Sequence, residues 1–191
     1  MLGQTSDISG TGKVTGTGAD NLRIFLAQVA ARHPDRSQVV FVCIGTDRST
    51  GDCFGPLVGT KLEERGWPHV FGTLRRPCDA LRFAEAMAAI QQSVPHAVVI
   101  AVDACLGKPQ SVGGYIAAEG PLTPGQATGA RLPAVGHYSI AGVVNASSHK
   151  PYMTLQTTSL YAVLQMADTV AEQVDQAWNA QQQLSFQEVN P

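Results

Sequence analysis

Hydrophobic and polar positions follow two rhythms along this chain. From Asn21 to Ala31, Leu22, Phe25, Leu26 and Val29 recur at the spacing of one helix face. Gln38 to Ile44 (QVVFVCI) is instead an apolar, β-branched run, the mark of a strand covered on both sides. Ala97 to Val102 (AVVIAV) is a second such run, ending at Asp103. Between the two, Pro56, Leu57, Val58 and Leu62 predict a helix that stops near Gly66. Val70 to Leu74 then reads as a short strand, and Asp79 as the cap of a helix over Ala80 to Gln92. Val112 to Ala118 and Tyr138 to Asn145 are further strand candidates, on either side of a Gly-, Pro- and Thr-rich loop from Gly120 to Pro133. Thr157 or Thr158 caps a final helix whose stripe is Leu160, Val163, Leu164, Ala167, Val170, Ala171 and Val174.

Helices that alternate with fully apolar strands predict a three-layer α/β/α sandwich with a mostly parallel sheet. The 191 residues suit a single domain, and neither a repeat nor a linker divides them. That domain is expected over residues 19–180. Residues 1–18, rich in Gly, Ser and Thr, read as a flexible tail, and the glutamine-rich 181–191 as a frayed end. Gly10-Thr11-Gly12-Lys13 superficially matches a phosphate loop, but it lacks the preceding strand and the Lys-Ser/Thr pair.

Composition narrows the function classes. Only 15% of residues are charged and the net charge is -2, which leaves no basic footprint for nucleic acid. No apolar run reaches the length of a membrane span, and the first residues carry neither a basic nor an apolar signal segment. The expectation is a cytoplasmic chain with neither nucleic acid nor membrane as partner. A homo-oligomer stays open. The four cysteines, Cys43, Cys53, Cys78 and Cys105, have no C-x-x-C spacing and are expected as thiols.

Candidate chemistry gathers after the two buried strands. The first runs into Gly45-Thr46-Asp47-Arg48-Ser49-Thr50-Gly51-Asp52, the second into Asp103. In open α/β sheets ligands bind beyond the carboxyl ends of the strands, so Asp52 and Asp103 are expected in one crevice. A cap or a turn accounts for either acid taken singly; the coincidence of both at one sheet edge points to a site. Asp52, just before a helix start, is expected to have a lowered pKa from the helix dipole, and Asp103 a raised one from desolvation. Such a pair can share a proton, activate water or bind a divalent metal. The loop fits no nucleotide-binding pattern, and its aspartates would repel phosphate. Cys53 and Cys105 each adjoin an acid, which opposes the thiolate a cysteine enzyme needs. His137, just before a strand, is either structural or the third member of a metal or acid–base cluster.

Several motifs in order extend this reading. They are Gly45 to Asp52, Gly55-Pro-Leu-Val-Gly-Thr-Lys-Leu62, Asp103-Ala-Cys-Leu-Gly107, Gly120-Pro-Leu-Thr-Pro-Gly125, Leu132-Pro-Ala-Val-Gly136 and Ser139-Ile-Ala-Gly-Val-Val-Asn145. Over roughly Gln38 to Ala171 the chain resembles the YyaC-type spore protease family of sporulating bacteria. That family is similar in turn to the germination protease, which degrades small acid-soluble spore proteins, and to the hydrogenase maturation proteases, with their α/β sandwich fold. The resemblance implies that Asp52 and Asp103 take the roles of the paired acids, which serve peptide hydrolysis in the first group and, with a histidine, bind the substrate's nickel in the second.

Three expectations follow. The first is an endopeptidase-like hydrolase of sporulation or germination that acts on a peptide or spore protein, with Asp52 and Asp103 as acid and base. Asp47, Ser49 and Thr50 would position the substrate, and no cofactor is required. The second is a protein that holds a divalent metal through Asp52, Asp103 and His137. The third is a non-catalytic sporulation factor that binds a peptide in the same crevice.

Overall fold

The computed structural model describes residues 18–125 and 132–189, with side chains as far as residue 184. All but the last residue of the expected N-terminal tail, part of the predicted 120–133 loop and the last two residues of the chain lie outside the described residues. The strands β1 (Val39–Cys43), β2 (Val70–Phe71), β3 (Val98–Gly107), β4 (Tyr115–Glu119) and β5 (Tyr138–Ala146) form one sheet in the order β2-β1-β3-β5-β4. The β1–β2, β1–β3 and β3–β5 pairs are parallel, and only β4 runs antiparallel to its neighbour β5. Among the described residues the α-helices are α1 (Ala19–Arg32), α2 (Phe54–Glu64), α3 (Phe83–Ser93), α4 (Pro151–Gln156) and α5 (Leu160–Val189).

The alternation of side chains along β1 builds the layers. Val39, Phe41 and Cys43 point into a core shared with α1, α2 and α5; Val40, Val42 and Ile44 point into a second core with Phe83 and Ile90 of α3. The sheet is thus covered on both faces, as its apolar strands require, and the predicted three-layer α/β sandwich is the fold. Trp178 of α5 anchors the first core: it is fully buried, stacks edge-on against Phe41 and Trp67, and donates its indole N–H to the His33 carbonyl at 2.9 Å.

Several element boundaries differ from expectation. β3 does not end at Asp103 but continues to Gly107, because β5 goes on pairing with it beyond the end of β1. α3 begins at Phe83; Asp79 Oδ1 instead accepts the N–H groups of Leu81 and Arg82 at 3.1 and 3.2 Å and so holds the turn that leads into the helix. Ser159, not Thr157 or Thr158, caps α5, its hydroxyl accepting the Ala162 N–H at 3.3 Å. α5 extends from Leu160 to Val189. Among the described residues, no helix is long and apolar enough to cross a membrane.

Candidate functional site

β1 is the shorter neighbour of β3, and this difference opens the site. The last register pair is Cys43 with Val102, so Asp103 is the first residue of β3 without a β1 partner. It still pairs with Ala141 of β5. Its side chain falls on the α3 side of the sheet, the side to which Ala101 two residues earlier also points. The chain leaving β1 turns at Gly45, whose φ of +139° suits glycine, and a Cβ there would stand 2.0 Å from the Asp52 carbonyl oxygen. The Thr46 N–H closes this loop by donating to that same carbonyl at 3.3 Å. Asp52 is therefore carried back over the end of β1, immediately before α2.

Asp52 and Asp103 line one cavity of about 170 Å³. Thr46, Arg48 and Asp79 complete its polar wall, and Ile44, Ala80, Leu81 and Leu132 its apolar one. Arg48 reaches across from the β1–α2 loop, donating to Asp79 Oδ2 at 3.1 Å and to Thr46 Oγ1 at 3.2 Å.

Asp103 is only 8% exposed, and burial pushes its carboxyl up to about 8. The charge of Asp52 pushes in the same direction, while the N–H groups of Ala104 (2.8 Å) and Gly125 oppose it. Asp52 is raised to about 6, first by burial and further by Asp79, against a backbone hydrogen bond from Thr46. The lowered value expected for Asp52 is thus corrected. A helix dipole supplies about 0.3–1 kcal/mol, less than the 1.36 kcal/mol equivalent to one pKa unit, so desolvation prevails. The two acids end with separated values on either side of neutrality.

The remaining candidates sort by position. Asp47 is exposed and is not part of the cavity wall; Ser49 and Thr50 are not part of it either. Ser49 is buried, and the turn that carries it packs beneath α4, where the Gly51 N–H donates to the Leu155 carbonyl at 2.8 Å. His137 is not brought to the aspartates. It precedes β5, four residues before the Ala141 that pairs with Asp103, roughly 13 Å away at 3.3 Å per residue. Its Nδ1 accepts the Val99 N–H at 3.0 Å, which gives it a structural task. All four cysteines are free thiols. Burial pushes Cys53 up to about 11 and Cys105 to about 12, with the adjacent aspartates adding to both, so neither forms a thiolate near neutrality.

Arg48 and Asp79 are the members of the site that the sequence did not single out. The pair joins residues 31 apart across β2, and no local pattern announces such a contact.

Two comparisons place this architecture among known proteins. The profile of a family described as "Protein of unknown function (DUF1256)" matches residues 17–173. An uncharacterized protein, YyaC, of Bacillus subtilis (strain 168) is 46% identical over 136 residues, a match covering 70% of this chain and 66% of that protein. The chain therefore spans just under two thirds of this relative's length. No solved structure matches the chain.

Proposed function

This chain belongs to the DUF1256 family of proteins of unknown function, and on that premise we propose that it is a peptide hydrolase worked by Asp52 and Asp103. The observation that carries the reading is one cavity holding two carboxyl groups, one raised to about 6 and the other to about 8. Between those values Asp52 is mainly a carboxylate and Asp103 mainly protonated. Asp52 then takes a proton from water as the water oxygen attacks the peptide carbonyl carbon. Asp103 gives its proton to the amide nitrogen as the C–N bond breaks. Among the described residues on the cavity wall, Arg48 is the cation, and its guanidinium, paired with Asp79, would stabilise the developing oxyanion.

The motif resemblance to spore proteases supplies the setting, sporulation or germination in the cytoplasm, and the substrate class, a spore protein. The four free thiols fit a reducing compartment. Asp52→Asn and Asp103→Asn should each abolish cleavage of a small acid-soluble spore protein while the circular dichroism spectrum stays that of the folded wild type; full activity in both variants would refute the assignment. The same two carboxylates are also of a kind that holds a divalent ion. Calorimetric titration with nickel, zinc, manganese and magnesium tests that second reading, which predicts heat in the wild type and none in Asp52→Asn. Binding of the spore protein without turnover, undiminished in both Asn variants, would instead identify a non-catalytic peptide-binding factor.

A further inference from the structure

We propose that the apolar wall of the cavity, with Leu81 at its outer edge, receives an aliphatic side chain of the substrate, that of the residue next to the scissile amide. The inference rests on the hydrolase reading above and names its specificity.

Leu81 is 86% exposed, so it contributes almost nothing to the core. Phe83 and Ile90 attach α3 to the sheet without it. Yet its position is fixed: the Asp79 carboxylate accepts the Leu81 N–H at 3.1 Å, and Arg48 holds that carboxylate at 3.1 Å. A leucine presented on a fixed turn at the lip of a cavity is placed for contact with a ligand. Ile44 and Leu132 contribute to the same cavity, so an incoming side chain meets aliphatic groups from three segments of the chain.

Size and charge narrow the occupant. A dry cavity of about 150 Å³ accommodates benzene, so this one, at about 170 Å³, takes a four-carbon aliphatic group with room to spare for the backbone beside it. Among the described residues, the titratable groups on its wall are the acids Asp52, Asp79 and Asp103 and the cation Arg48. Arg48 compensates Asp79. Among these described groups Asp52 is left as the effective negative charge, which disfavours acidic side chains.

The test uses small amides as probes on the full chain, with NMR of the methyl groups as readout, so that binding is read without turnover. N-acetyl-leucinamide should shift the methyl signals of Ile44, Leu81 and Leu132. It should bind about tenfold more tightly than N-acetyl-asparaginamide, the low end of discrimination by apolar pockets. Leu81→Ser should largely remove that preference with no change in thermal unfolding, since the side chain is exposed. Equal affinities, tighter binding of N-acetyl-lysinamide, no response at those methyls, or an unchanged preference in Leu81→Ser would each overturn the proposal. A chain that binds the leucine probe as described but cleaves no peptide would retain the pocket and lose the hydrolase. One that cleaves peptides without aliphatic preference would do the reverse.

Discussion

Burial, more than neighbouring charge, decides what the two aspartates can do. Both are lifted from the ordinary carboxylate range chiefly by desolvation, and they separate because Asp103 is the deeper and also feels the charge of Asp52. Both positions were legible in the sequence, because Asp103 directly follows one strand that reads as buried, Asp52 lies in the loop after another, and the ligand side of such a sheet is known. The direction of the Asp52 shift was not: a cap position says nothing of how far the side chain is taken from water. The same rule of strand ends could have placed His137. A residue just before a parallel strand lies at the opposite edge of the sheet from one just after a strand. His137→Ala is therefore expected to leave peptide hydrolysis and divalent-ion affinity unchanged. It should cost about 0.5–1.5 kcal/mol for the lost hydrogen bond to the Val99 N–H, as measured by urea denaturation. Loss of activity or of metal binding in that variant would place the imidazole in the site after all.

The junction of β1 with α2 is the element that positions Asp52. Gly55 lies in the first turn of α2, and a Cβ there would stand 2.0 Å from the Ile44 carbonyl oxygen. The helix start can thus approach the strand end only because no side chain intervenes. Gly55→Ala is expected to push α2 outward, to destabilise the protein by about 1–3 kcal/mol as overpacking does, and to displace Asp52 from Asp103. Chemical denaturation and cleavage assays check both parts; a stability change under about 0.5 kcal/mol would show that the contact is not required. The Gly-Pro pair signalled this helix in the sequence. α4 gave no such signal: it has six residues, and Leu155 is its single buried side chain, too little for a hydrophobic period. Likewise the extension of β3 past Asp103 depends on pairing with β5, a partner more than 30 residues distant, and not on its own apolar content.

For the whole molecule, the two raised acids make stability depend on pH. A carboxyl whose folded value lies above its unfolded one binds more protons when folded. Between the ordinary value of 3.8 and the raised ones, about 6 and about 8, the folded state is the more protonated. Stability from these groups is therefore fully present at low pH and falls as pH rises through that window. Urea midpoints should decline from about pH 4 to about pH 8, and Asp103→Asn should flatten most of that slope; an identical slope in the variant would mean that Asp103 does not titrate where its burial implies. The layered fold itself was readable from two fully apolar strands among amphipathic helices. The cavity was not, since it arises where one strand stops short of its neighbour and two loops meet above the gap. The most direct test of the proposed acid pair is the pH profile of kcat/KM for hydrolysis of a spore-protein peptide. The account predicts a bell with limbs near 6 and 8, its acid limb lost in Asp52→Asn along with nearly all activity. A rate independent of pH across that range, or a bell retained in full by Asp52→Asn, would contradict it.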